Sequence, residues 1–175
     1  MAILNIEFKA SCKDIAAAEA ILQQHNPFFK GTDRQVDTYF NVPNGRLKLR
    51  EGNIENALIH YERENTASSK SSHVLLYQHQ PDENLKAILT KALGVKAVVD
   101  KQRKIYFIDN VKFHFDIVKE LGTFLEVEAI DKDGIIGKEK LQDQCEFYAD
   151  LLKVGKDDFM SVSYSDMIME LSNQP

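Results

Sequence analysis

The stretch Arg46-Leu47-Lys48-Leu49-Arg50 decides the fold. Read as a strand, it places three cations on one face and two leucines on the other. Other stretches repeat the sorting. Asn5, Glu7 and Lys9 oppose Leu4, Ile6 and Phe8. Lys112, His114 and Asp116 oppose Val111, Phe113, Phe115 and Ile117. Glu126 and Glu128 oppose Leu125 and Val127, and Ile59, Tyr61 and Arg63 share a face. For any one strand, a charged face is more often simply solvated. Taken together, aligned like charges cost stability unless opposite charge lies between them. If the sheet closes with these faces inward, the lumen holds carboxylates and cations together. Buried ions must be paired, so such a lumen makes sense as a binding site. Carboxylates suit hard divalent cations, and Lys and Arg suit phosphate oxygens.

Period-two alternation predicts strands over Ile3–Ala10, Gln35–Asn41, Gly45–Glu51, Ala57–Glu64, His73–His79, Val111–Val118 and Thr123–Asp131. Val95–Asp109 reads as one long strand or two short ones. Asn65–Ser72 reads as a hairpin loop, and Pro43-Asn44-Gly45, Asp109-Asn110 and Leu121-Gly122 as turns. Helical spacing predicts Lys13–Gln24 capped by Ser11, a helix opened by Pro81-Asp82 and stopped by Gly94, a third over Gly137–Lys153, and a short one over Ser165–Leu171. In the second helix the expected apolar stripe is Leu85, Ile88, Leu89 and Ala92. The expectation is one domain over residues 1–175: an α+β, closed, eight-stranded antiparallel barrel with helices packed outside.

The 175 residues carry a formal charge of -5, with 43% hydrophobic and 28% charged residues. That balance suits a globular chain and offers no general attraction to nucleic acid or anionic membrane. Any bound anion must meet a local concentration of positive charge. Met1–Ala10 does not read as a signal peptide, and no stretch is apolar enough to span a membrane. Cys12 and Cys145 have no metal-ligand spacing and suit a reducing cytoplasm. There is no P-loop, G-x-G-x-x-G, G-x-S-x-G or H-E-x-x-H motif.

In order, the motifs are Asn5-Ile6-Glu7-Phe8-Lys9, Gln35–Phe40, Gly45–Glu51, Leu58–Arg63, Lys70, Lys101-Gln102-Arg103, Phe115-Asp116 and Leu121–Glu128. This ordered set resembles the CYTH superfamily, the triphosphate tunnel enzymes, with the Gly45 and Gly122 stretches most like the class IV adenylyl cyclase branch. The resemblance implies an eight-stranded tunnel, often in a homodimer. It implies Mg²⁺ or Mn²⁺ bound by Glu7, Asp116, Glu126 and Glu128. Triphosphate would bind to Lys9, Arg46, Lys48, Arg50, Arg63, Lys70 and Arg103, helped by Lys101. The implied partner is ATP or a polyphosphate, with Glu7 and Lys9 as catalytic residues. Where the family motif E-x-E-x-K has its first Glu, this chain has Asn5, which brings an oxygen without a charge. Three functions follow from the resemblance: cyclisation of ATP to cyclic AMP, hydrolysis of an inorganic or organic triphosphate such as thiamine triphosphate, and triphosphate binding with little turnover. His114 is read either as a phosphate contact or as a structural hydrogen-bonding group.

Overall fold

The computed structural model describes residues 3–63 and 70–173; the Arg63 and Lys70 side chains lie outside this description. The strands are β1 (Ile3–Ser11), β2 (Phe28–Phe40), β3 (Arg46–Glu51), β4 (Ala57–Arg63), β5 (Lys70–Gln78), β6 (Val95–Ile108), β7 (Val111–Val118) and β8 (Gly122–Asp131). They close into an antiparallel barrel in the order β1-β5-β4-β3-β2-β6-β7-β8. Closure removes both sheet edges and gives every strand an inner and an outer face.

The helices are α1 (Ile15–Gln23), α2 (Glu83–Leu93), α3 (Lys138–Leu151) and α4 (Tyr164–Ser172). Helices α1 and α3 cover the outer faces of β1, β7 and β8. There Ile6, Phe8, Phe113, Phe115, Leu125 and Val127 pack against Ala18, Leu22, Leu141 and Cys145. Those are the apolar faces read from the sequence, so the charged faces point inward. Helix α4 closes one end of the barrel: Tyr164 packs with Tyr39, Ala97, Val99, Val118 and Phe124. Ser163 caps it, its side chain accepting from the Asp166 N–H.

Several boundaries differ from expectation. Strand β2 begins at Phe28, seven residues before Gln35, because its backbone pairs with the far half of β6 although Phe28-Phe29-Lys30-Gly31 lacks alternation. Helix α1 is capped by Asp14, not Ser11: Ser11 still pairs with Phe124, and Asp14 Oδ1 accepts from the Ala17 N–H at 3.0 Å. Helix α2 starts after Asp82 and stops at Gly94 (φ 73°), as expected. No residue of this helix is buried: of the expected stripe Leu85 and Leu89 are half-buried, while Ile88, at 63% exposure, and Ala92 face solvent. Strand β5 already begins at Lys70, within the expected loop Asn65–Ser72; residue 64, the expected end of the preceding strand, and residues 65–69 of the loop lie outside the described ones.

Candidate functional site

Strand register assembles the lumen. Lys9 lies opposite Glu126 and Glu7 opposite Glu128 across β1 and β8. His114 lies opposite Glu126 and Lys112 opposite Glu128 across β7 and β8, while Arg103 faces Asp116 across β6 and β7. A cavity of about 450 Å³ runs inside the barrel, with Tyr164 and Ser163 at its closed end. Seven Lys or Arg residues and five carboxylates line it, so cations are in excess before any ligand enters. Ile59, Val74 and Leu76, from β4 and β5, form an apolar wall in the same cavity. The opposite mouth is polar and open, with Gln78 and Gln80 exposed.

Three ion-pair nodes hold these charges. Asp37 accepts two bonds from the Arg50 guanidinium, both at 2.8 Å, and one from Lys101 Nζ at 2.7 Å, with Lys48 Nζ at 3.3 Å. Burial opposes ionisation of Asp37, but Arg50, Lys101 and Lys48 hold its carboxyl well below the usual range. In the second node, Arg103 donates to both Asp116 oxygens at 2.7 and 2.6 Å, and Tyr164 Oη donates to Asp116 at 2.7 Å. The third node is Glu55, reached by Arg50 at 3.2 Å and Lys112 at 2.7 Å. Burial pushes Glu55 the other way, yet Lys112 and Arg50 bring it down to about 2. The loop carrying Glu55 folds onto Asp33, which accepts from the Ile54 and Glu55 N–H groups at 2.9 Å each. Gly52 is required there, because a Cβ would lie 2.6 Å from Asp33 Oδ1 and 2.8 Å from the Glu55 carbonyl oxygen.

On the carboxylate side, Glu126 Oε2 turns toward Arg103 (3.4 Å) and Lys9 (3.8 Å). Its Oε1 lies 3.9 Å from His114 Nδ1, and Glu128 Oε1 lies 3.8 Å from the same nitrogen. Burial, with Glu126 and Glu7 adding to it against Lys112, pushes Glu128 up to about 8. Burial, with Arg103 and Lys112 adding to it, keeps the His114 imidazole neutral, well below its ordinary pKa. Ligand atoms of His114, Glu126 and Glu128 all lie within 4.8 Å of one another. Neither His114 ring nitrogen, nor buried Asn5 Oδ1, has a hydrogen-bond partner. Converging oxygens and an unpartnered nitrogen fit a divalent cation.

The residues expected at the site are therefore sorted by the structure. Glu7, Lys9, Lys48, Arg50, Lys101, Arg103, Glu126 and Glu128 come together on one cavity. Asp116 does not line this cavity; its oxygens are engaged by Arg103 and Tyr164, while His114 forms a three-residue cluster with the two β8 carboxylates. Arg46 does not line this cavity; its guanidinium is 2.9 Å from Asp166 at the start of α4. Asp37, Glu55, Lys112 and Tyr164 were not assigned from sequence. Alternation places Asp37 on the face of Gln35 and Tyr39, a detectable signal, whereas Glu55 sits in a loop and Tyr164 on a distant helix.

Lys101 gives the site a pH dependence. Burial lowers its pKa to about 7, with Arg50, Arg103 and Lys48 adding to the effect and Asp37 opposing it. A bound polyanion raises that pKa again, so binding takes up a proton above it. Without metal, tripolyphosphate affinity is expected to be full below pH 7. It should fall above that value by up to about tenfold per pH unit until the raised pKa is reached. Calorimetry in buffers of different ionisation enthalpy measures the uptake. Comparison with Lys101→Met cancels the ligand's own titration; identical pH profiles for the two proteins would remove Lys101 from the effect.

A closed antiparallel barrel with cations and carboxylates interleaved on its inner wall defines a tunnel for an anionic ligand and a counter-ion. The chain belongs to the CYTH domain family, whose model matches residues 4–161. Members of this family act on triphosphates, and the domain implies a triphosphate ligand. Among solved structures, the chain is similar to the PH1012 protein of Pyrococcus horikoshii OT3, at 24% identity and TM-score 0.78, covering 94% of this chain and 99% of that one. It is also similar to a Vibrio parahaemolyticus protein proposed to be an adenylate cyclase, at 16% identity and TM-score 0.76, covering 95% and 98%. A third is a Hippeastrum protein proposed to be an adenylyl cyclase and described as having a dominant triphosphatase activity, at 13% identity and TM-score 0.61, covering 100% and 97%. At these identities the likeness shows the fold. A search of curated protein sequences found no significant match. No helix among the described residues is long and apolar enough to cross a membrane.

Proposed function

We propose that this protein is a metal-dependent enzyme acting on a triphosphate, and that cyclisation of ATP to cyclic AMP and pyrophosphate is its reaction. The observation that carries this reading is the two-sided cavity. Cations converge around Asp37 and Arg103, while Ile59, Val74 and Leu76 offer an apolar wall beside them. A polyphosphate with an organic group uses both sides; inorganic tripolyphosphate uses one. The volume lies within the range of about 300–1,000 Å³ common for small-molecule sites.

In this reading Lys48, Arg50, Lys101 and Arg103 hold the phosphate oxygens and offset charge that builds on the leaving pyrophosphate. The ribose 3′-oxygen bonds to the α-phosphorus as the bond from that phosphorus to the bridging oxygen breaks. Lys9, beside Glu126, orients the nucleophile, and the hydroxyl proton leaves to solvent through the open mouth. Glu7, Glu126 and Glu128 would hold Mg²⁺ or Mn²⁺, which supplies polarisation of the phosphate oxygens and activation of the hydroxyl.

Hydrolysis is the second reading, favoured by the open polar mouth at Gln78 and Gln80, which admits water. Water then attacks the terminal phosphorus and orthophosphate leaves. One assay separates them: incubate the protein with Mg²⁺ or Mn²⁺ and ATP, thiamine triphosphate or tripolyphosphate, and resolve the products. Cyclic AMP with pyrophosphate is the expected result. Orthophosphate instead establishes hydrolysis. Thermal stabilisation by tripolyphosphate without any product establishes binding alone and overturns both enzymatic readings.

A further inference from the structure

We propose that His114 supplies a nitrogen ligand to the divalent cation held by Glu126 and Glu128, giving the tunnel a preference for Mn²⁺ and other divalent transition ions over Mg²⁺. The inference rests on the metal-dependent reading of the same site and assigns a residue that the ordered motifs left without a role.

Three observations carry it. First, His114 is fully buried, and neither ring nitrogen has a hydrogen-bond partner. Leaving a buried polar group unsatisfied costs about 1–3 kcal/mol, so an unpartnered imidazole among charged groups is unfavourable as mere packing. Second, its Nδ1 faces one oxygen of each β8 carboxylate, at 3.9 and 3.8 Å. Those separations are too long for hydrogen bonds. They match ligands around one ion, since bonds of about 2.1 Å set neighbouring and opposite ligand atoms about 3.0–4.2 Å apart. Third, the Glu126 oxygens are divided. Oε2 faces Arg103 and Lys9, and Oε1 faces His114. Glu126 can therefore keep its ion pairs and still offer one oxygen to a cation.

The ligand chemistry sets the preference. Mg²⁺ favours oxygen ligands and retained water, whereas imidazole suits transition ions. Two carboxylates and one imidazole form a mixed set that Mn²⁺ accepts more readily.

Pulsed electron paramagnetic resonance on the full chain with Mn²⁺ tests this directly. The expected spectrum contains coupling to an imidazole nitrogen, shifted when the protein carries isotopically labelled histidine. The coupling should vanish in His114→Gln and in His114→Asn. Mn²⁺ affinity should fall about tenfold or more in these variants, and Mg²⁺ affinity, read by competition, by less. Bound Mn²⁺ without histidine coupling in the wild type overturns the assignment, and so does coupling that survives in a variant that binds Mn²⁺. The wild-type spectrum decides even where neither variant folds. Tripolyphosphate-induced thermal stabilisation without metal, measured alongside, keeps the outcomes separate. If it persists while the coupling is missing, the ligand assignment alone fails; if both are missing, the triphosphate reading fails with it.

Discussion

Replacing Glu126 and Glu128 together by Gln is expected to abolish metal-dependent turnover of whatever triphosphate the wild type consumes, lowering kcat by about 10³-fold or more. Cation stabilisation of transition-state charge is worth several kcal/mol, and each 1.36 kcal/mol is about a factor of ten. The double variant leaves His114 as the sole ionisable member of its three-residue donor cluster. Metal-free tripolyphosphate binding should survive and strengthen, because negative charge leaves a lumen where Lys9, Lys112 and Arg103 remain. Arg103 keeps its bidentate partner Asp116, so the barrel should still fold. The measurements are product formation with Mn²⁺, Mn²⁺ binding by magnetic resonance, and the melting shift with tripolyphosphate alone. Wild-type turnover would remove both carboxylates from the metal role. Loss of the melting shift would mean that they hold the ligand rather than the ion.

Asp37→Asn should give the largest stability effect. Asp37 is fully buried and pairs with Arg50, Lys101 and Lys48 at 2.8, 2.7 and 3.3 Å. Removing one partner of a buried pair costs about 3–5 kcal/mol, because the remaining charge is left desolvated. In a domain of this size, about 2–4 °C accompanies each kcal/mol, so the melting temperature should fall by roughly 10 °C. The loss should be larger at pH 6 than at pH 8. In the wild type Lys101, with its pKa near 7, is charged and paired with Asp37 at the lower pH; without Asp37 its pKa falls further and that pairing is lost, whereas at the higher pH it is mostly neutral in both proteins. Tripolyphosphate should restore more stability to the variant than to the wild type, since it supplies the anion that Asp37 supplied. Thermal denaturation at both pH values, with and without tripolyphosphate, checks this. An unchanged melting temperature, or an equal response to tripolyphosphate, would mean that Asp37 does not hold the cation cluster together.

Much of the site was legible because alternation is local. The side-chain period of a strand assigns each residue to a face, and like charges sorted onto one face require a counter-charge opposite. Glu7, Lys9, Lys48, Arg50, Glu126 and Glu128 were therefore readable as a common wall before any coordinates. Alternation does not set depth: Arg46 shares a face with Lys48 and Arg50 but lies nearer the closed end, where it meets Asp166. Asp116 shares a face with His114, yet Arg103 from β6 and Tyr164 from α4 occupy its oxygens. The Ser11 cap failed for a similar reason, because strand pairing with Phe124 carries β1 through it.

By itself the sequence determined that the sheet closes with its charges inside, and that those charges suit a triphosphate and a cation. The tertiary structure decided which charges meet. Register sets Glu126 against Lys9 and His114, β6 places Lys101 and Arg103 beside cations from β3, and α4 shuts one end with Tyr164. Those contacts join residues far apart in the chain, and a local period assigns a face but neither a depth along the barrel nor a partner across it.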